Sequence, residues 1–386
     1  MTRKKGMAVV LTIALGLAIS AYADNHEAAE EEEGGFTKQA TTDPTLSTCP
    51  PTVNVVTVGR VRTQVPVPPD QDTRRGQCLF NSRVAFGQQN PNHLFASCNN
   101  CHPGGGTDQV THVGAVTNSQ GQTVTVFRQT PDIRNVVYNV PLAWDGRRGG
   151  SLNDAASVRA AVKAAAQGAI LNPLEMRGTT VTDDQLESLA AFLIPRSLVK
   201  PGPNAKQPLA DLSGLTPEQQ AKAQATLARI ATGQTVFFGK GQCTSCHPAP
   251  FFTDNVVRTN VLSPDVQFDV LPDPGRGFIT GNAAELGQFK TPSLHHFYPT
   301  GAPFMHDGGL ANDGQLFRFY QKSLGFTLTG QESTGLHYWL VNCARGPFAL
   351  VPPTCFSNGA ISAMDFAISQ GFTPPPAINI LTSPQH

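Results

Sequence analysis

Charge is scarce in this chain. Only 15% of its 386 residues are charged, and Lys+Arg and Asp+Glu stand at 28 each. Three of the basic residues, Arg3, Lys4 and Lys5, open the chain, and the first 23 residues hold no acid. The remainder carries 25 basic against 28 acidic residues, net −3. There is no basic footprint of the kind a nucleic-acid partner requires. Past Ile19, no apolar run comes near the length of a membrane span. What is plentiful is Gly (36) and Pro (31), a composition suited to a compact protein with many loops wrapped round large apolar groups.

The N-terminus reads as an export leader. The basic residues precede an apolar core from Met7 to Ile19, and Ala21-Tyr22-Ala23 fits the small-x-small cleavage pattern, which predicts cleavage after Ala23. The expected location is the periplasm, with no stable membrane insertion after cleavage. Residues 24–70 read as an acidic tract, Glu27 to Gly35, followed by irregular extended chain.

Two copies of one short pattern dominate the rest: Cys98-Asn99-Asn100-Cys101-His102 and Cys243-Thr244-Ser245-Cys246-His247. C-x-x-C-H attaches c-type haem, the thiols forming thioethers and the histidine becoming an axial iron ligand. A zinc ribbon would bring both Cys pairs to one metal. Here the pairs lie 145 residues apart and each has its own histidine, so two covalent haems c are expected. Four cysteines remain. In an oxidising compartment they suggest two disulfides, most economically Cys49–Cys78 and Cys343–Cys355, with the other connectivities open.

Helices are legible from their caps. Thr182-Asp183-Asp184-Gln185 opens an apolar-periodic run that Pro195 ends, and Thr216-Pro217-Glu218-Gln219 opens another running towards Gly239. Ser151 to Gln167 is a third, and a fourth runs from about Asp313 to Lys322. The expected fold is mainly α, with few strands. Two cytochrome c-like domains are expected, residues 71–205 and 206–340, joined near Pro201-Gly202-Pro203, with an extension over 341–386.

Around the haem motifs the chain resembles the bacterial dihaem cytochrome c peroxidase family, including its MauG-like branch. The resemblance rests on Trp144-Asp145-Gly146-Arg147 and Asn172-Pro173-Leu174-Glu175-Met176 in the first half. In the second half it rests on Phe289-Lys290-Thr291-Pro292-Ser293-Leu294 and Ala302-Pro303-Phe304-Met305-His306-Asp307-Gly308. It implies an enzyme that reacts with hydrogen peroxide at the N-terminal haem and moves electrons through the C-terminal one. Glu175 falls at the family's distal acid position, where a carboxylate serves general acid–base cleavage of the O–O bond. Trp144 falls at the inter-haem relay. Tyr320, fourteen residues after His306, falls at the second axial position of the C-terminal haem, with Met305 and Met364 as competitors.

The family's distal Gln falls on Ala155 or Ala165, depending on the anchor used, and Gln167 is the nearest substitute. His112 is the candidate for a loop histidine that would close the N-terminal haem; an open haem is the reading favoured here. A Ca²⁺ would use Gln129 with the carbonyls of Gly301 and Pro303. His295, His296 and His337 receive no role. Three readings follow. The first is a peroxidase fed by a small periplasmic cytochrome or cupredoxin. The second is a MauG-like enzyme oxidising side chains of a partner protein through a high-valent dihaem state. The third is a dihaem electron carrier without catalysis. Beyond about residue 326 the resemblance fades, and Trp339 follows no expected helix.

Overall fold

The computed structural model describes residues 49–343, apart from 59–60, 89, 93, 135, 197–213, 250, 260–272, 295–296 and 298–300. The leader, the acidic tract, the linker near Pro201, His295, His296, Met364 and Cys355 all lie outside the described residues. The chain is helix-rich.

Strands β1 (Val53–Val58) and β2 (Val61–Pro66) form an antiparallel hairpin. This corrects the expectation of irregular chain over 36–70. The valines of β1 and β2 supply β propensity that a Thr/Pro-rich composition obscured. Helix α1 (Thr73–Asn81) follows. Its N-cap Asp72 accepts from Arg75 N at 3.0 Å and from Thr52 N and Oγ1 at 2.7 and 2.6 Å, tying the incoming segment to the first turn. The Cys49–Cys78 disulfide staples the same junction, as expected. Cys343 is disulfide-bonded as well.

A single helical turn, α2 (Cys98–Cys101), carries the first haem motif. Strands β3 (Thr111–Thr117) and β4 (Thr123–Gln129) make a second hairpin. Helix α3 spans Ala155–Leu171, capped by Asp154, and α4 spans Asp183–Arg196. The α3 expectation was four residues early at both ends, because Asp154 captures the Ala156 N–H and fixes the start. The Thr182–Gln185 capping box is present. Pro195 lies inside the last turn of α4 rather than ending it.

Helix α5 (Pro217–Phe238) has the capping box read from Thr216 and Gln219. After it come β5 (Val257–Thr259), α6 (Gly275–Thr280) and β6 (Gln288–Lys290), β5 and β6 being paired. Helix α7 (Asp313–Leu324) is capped by Asn312 and ends at Gly325 in the left-handed conformation. Helix α8 (Gly330–Cys343) closes the described chain. Trp339, where the resemblance had faded, sits on this helix, fully buried, its ring stacked on Phe237 at 4.1 Å. Among the described residues, no helix is long and apolar enough to cross a membrane.

Two apolar cores result. One gathers Leu79, Phe80, Val162, Leu189 and Phe192 from α1, α3 and α4. The other gathers Ile230, Phe237, Phe317, Leu336 and Trp339 from α5, α7 and α8. The same device builds both. A Cβ on Gly76 of α1 would stand 2.0 Å from Ser188 O of α4, and one on Gly233 of α5 would stand 2.0 Å from Gly335 O of α8. Each core thus hangs on a helix crossing close enough to require glycine. Gly76→Ala and Gly233→Ala are each expected to cost roughly 1–3 kcal/mol by overpacking, read as a lower midpoint in denaturant unfolding. Gly214→Ala, with nothing within 4 Å, is the control that should leave the midpoint in place.

Candidate functional site

Both haem motifs open onto one cavity of about 910 Å³, walled by Cys98, Cys101 and His102 on one side and Cys243, Cys246 and His247 on the other. None of these four cysteines is in a disulfide. Burial pushes the thiols of Cys98 and Cys243 up to about 12, so they are neutral. Cys101 also rises to about 12, through burial and then Asp108 and Glu175. The Cys98 thiol also approaches Met176 Sδ at 3.8 Å.

Each histidine is held the same way. His102 Nδ1 lies 3.2 Å from Gly106 O, and His247 Nδ1 lies 2.9 Å from Phe252 O. A protonated Nδ1 donating to a carbonyl leaves Nε2 as the ligand atom, the orientation metal-bound imidazoles adopt. Burial holds both rings below the ordinary histidine range, so they stay neutral and able to ligate. Paired thiols, oriented imidazoles and a shared apolar cavity fit covalent haem on each motif.

Glu175, Trp144 and Tyr320 line this cavity, as do Gln129, Gly301, Pro303 and Met305. Glu175 Oε1 accepts from Asn172 Nδ2 at 2.8 Å, and the same amide donates to Ala115 O of β3 at 3.3 Å. Burial pushes the carboxyl up, against the opposing pull of Arg147, Arg148 and His112. Trp144 Nε1 donates to Gln129 O at 2.8 Å, and Trp144 O accepts from Lys290 N at 2.7 Å. Its peptide is therefore clamped between β4 and β6. Tyr320, on α7, is pushed up to about 12 by burial, with Cys243 and Cys246 adding to the shift. Gln129 and Pro303 meet over Gly308, where an added Cβ would stand 3.3 Å and 3.2 Å from their Cγ atoms.

Two expectations need revision. Gln167 is exposed on α3 and does not line the cavity, whereas Ala165, Ala166, Gly168 and Ala169 do. One residue along a helix is a turn of about 100°, and Gln167 falls on the outer side. His112 is on strand β3 and not on a loop. Its Nε2 lies 2.7 Å from Asp108 Oδ2 and its ring packs edge-on to Phe95 at 4.4 Å. It still lines the cavity, beside Cys101. His337 pairs with Asp313 at 2.5 Å on the outer face of the second core.

Sequence reasoning missed the charges that frame this cavity. Arg128 Nε and Nη2 reach Asp273 at 2.7 and 2.9 Å, and its Nη1 reaches Asp145 at 2.6 Å. Arg147 also binds Asp145, at 2.6 Å. Burial acts to raise the Asp145 carboxyl, but Arg147 and Arg128 hold it below its ordinary range. Lys290 is buried without a carboxylate partner, and burial pushes it down to about 7. The motifs Trp144–Arg147 and Phe289–Leu294 contain Arg147 and Lys290, but spacing alone gives no partner for either.

Comparison with known proteins agrees with this site. Residues 86–195 match the family model of di-haem cytochrome c peroxidase. A cytochrome-c peroxidase of Denitromonas iodatirespirans is 23% identical over 68% of this chain and 79% of its own length. The cytochrome c551 peroxidase of Nitrosomonas europaea is 29% identical over 56% of this chain. The match spans 64% of that relative, a little under two thirds. Among solved structures, a MauG-like protein associated with microbial copper homeostasis overlaps with a TM-score of 0.48 at 21% identity, over 70% of this chain and 87% of that one. The chain thus resembles the di-haem cytochrome c peroxidases, and its relatives support an oxidoreductase of the peroxidase type.

The attachment chemistry can be checked directly. Acid–acetone should extract no haem from the protein, and Cys98→Ala with Cys101→Ala should leave one covalent haem by intact mass. Extractable haem, or bound zinc in its place, would sink this reading.

Proposed function

We propose that the protein is an exported, periplasmic di-haem c peroxidase in which hydrogen peroxide reacts in the N-terminal half and electrons arrive through the C-terminal half. The observation that carries this is the single cavity shared by both C-x-x-C-H motifs, Glu175, Trp144 and Tyr320. Bound at His102 and His247, haem would supply redox-active iron at each motif.

The chain's own residues do the rest. The Glu175 carboxylate accepts a proton from the incoming peroxide and returns it to the departing oxygen. A carboxyl raised by burial suits that exchange, since it holds a proton closer to neutrality. Asn172 fixes which oxygen of Glu175 faces the cavity. Trp144, clamped at both its indole nitrogen and its carbonyl, offers an electron relay between the halves. A small cytochrome or cupredoxin is the proposed electron donor. Gln129, Gly301 and Pro303 offer an amide and carbonyl oxygens, hard donors suited to the proposed Ca²⁺.

A second reading has its own observation. Tyr320 lines the cavity together with Cys243 and Cys246 and packs against the second core. A phenolate ligand there would lower the iron potential, and would favour oxidation of side chains on a partner protein over turnover with a small donor.

Glu175→Gln keeps the shape and removes the exchangeable proton. The peroxide reaction should slow by roughly 10²–10⁴-fold while the resting absorption spectrum hardly changes, and an unaltered rate would remove Glu175 from the mechanism. Asn172→Ala should move the corresponding limb of the pH–rate profile upward, because the hydrogen bond it loses favours the carboxylate.

Tyr320→Phe separates the two readings. If the phenol ligates, the variant should convert the C-terminal haem from low to high spin in the electron paramagnetic resonance of the resting protein, with both haems still attached. A spectrum identical to wild type would pass the role to another residue, Met305 first, and would leave the protein-oxidising reading without support.

A further inference from the structure

Five Lys and Arg side chains line the cavity. Three of them have a carboxylate: Arg128 binds Asp145 and Asp273, Arg147 binds Asp145, and Arg258 binds Asp254. The other two, Arg148 and Lys290, have none within ion-pair distance among the described residues.

Neither is a solvated surface charge. Lys290 is 7% exposed. Its ammonium is held only by weak contacts, 3.4 Å to Asn139 Oδ1 and 3.3 Å to Thr291 O. It lies close enough to His247 to act on it electrostatically. Arg148 is half-buried and lies against α3. A Cβ on Gly168 would stand 1.8 Å from Arg148 Nη2 and 2.6 Å from Cζ. The small residue leaves room for the guanidinium at the cavity wall, beside Glu175. A buried cation without a counter-charge is costly. The carboxylates that act on them, Asp145 and Glu175 on Arg148 and Asp254 on Lys290, do so from beyond ion-pair distance, so among the described residues neither cation on this apolar cavity has an anion in contact.

We propose that Arg148 and Lys290 are carboxylate anchors, each holding a propionate of the haem bound in its own half, Arg148 for the His102 site and Lys290 for the His247 site. The assignment rests on the di-haem reading. It adds what the C-x-x-C-H motifs do not specify, namely which way each porphyrin is turned about its histidine. Thioether bonds fix one edge of the ring, and a charge-assisted hydrogen bond on the opposite side fixes the other. Arg can grip a carboxylate with two parallel N–H bonds, whereas Lys acts as a point charge. The N-terminal haem would thus be held more rigidly in its plane than the C-terminal one.

The test uses the holoprotein and the variants Lys290→Gln, Lys290→Met, Arg148→Gln and Gly168→Ala. Covalent haem is counted by intact mass, the potential of each haem by spectroelectrochemistry, and propionate protonation by redox-difference infrared spectroscopy. Loss of the cation leaves a propionate uncompensated, which favours ferric iron. Lys290→Gln and Lys290→Met should therefore lower the potential of the His247 haem alone and move its propionate bands towards the protonated acid. Arg148→Gln should do the same at the His102 haem. Gly168→Ala should follow Arg148→Gln, because the new methyl displaces the guanidinium while keeping its charge in the chain. Lower potentials with unmoved propionate bands would mean the cations act only through space, and would overturn the assignment. So would two attached haems whose potentials ignore all four substitutions. A wild-type protein without covalent haem would instead overturn the di-haem reading, and this assignment with it.

Discussion

Arg128 sits where the two halves of the molecule meet, and its guanidinium is spread across both. One edge grips Asp273 from the segment that leads into α6, and the remaining nitrogen reaches Asp145, which Arg147 also binds. The face of Arg128 lies 5.7 Å from the Phe289 ring, which stacks on His306 at 3.8 Å. Two cations and two anions thus share one nearly dry node. Such a node is weak evidence for stability, since desolvation offsets much of the attraction. Its use is geometric. Asp145 is the residue after Trp144 and Arg128 the residue before Gln129, so the ion pair and the indole hydrogen bond lock the same two segments in register. Gln129 N in turn donates to His306 O at 2.7 Å. The position of Trp144 is therefore set by charge, while the walls around it are set by apolar packing.

How much of this was legible depends on range. Capping boxes are local, and Thr182–Gln185 and Thr216–Gln219 were both found where they were read. The haem motifs are local too, and the structure brings their cysteines to one cavity although 145 residues separate them. Helix α8 was missed for a physical reason. Its start does carry a local mark, a capping box in which Glu332 accepts from Thr329 N and Thr329 Oγ1 accepts from Glu332 N. The packing of Trp339 on Phe237 and the crossing of Gly335 on Gly233, by contrast, depend on a partner helix about 100 residues away. The β1–β2 segment reads as extended chain from its composition, but the pairing that makes it a hairpin, from Val53 with Pro66 to Val58 with Val61, is not marked by its Thr, Pro and Val content. Partners of buried charges were least legible of all, since Arg128 finds Asp273 across 145 positions.

The cavity wall along α3 shows how this chain departs from the pattern it resembles. Where an amide was expected, the helix presents Ala165, Ala166, Gly168 and Ala169, and the available amide, Gln167, faces outward. A wall of small apolar groups cannot orient a peroxide by hydrogen bonding. The polar groups nearest in the chain are Asn172, which caps the end of α3, and Glu175, which accepts from it. Asn172 bridges Glu175 and Ala115 of β3, so the β3–β4 hairpin is part of what places the acid.

The same hairpin decides what His112 can do. A histidine on a loop can swing between iron and solvent at little cost, because the loop absorbs the change in backbone angles. On β3, His112 is fixed by ladder pairing with Arg128, by Asp108 at Nε2 and by the Phe95 ring. Turning the ring away from this position would give up the Asp108 contact and the Phe95 packing. The contacts that fix His112 and the hydrogen bond that holds the Trp144 indole thus belong to one hairpin, β3–β4.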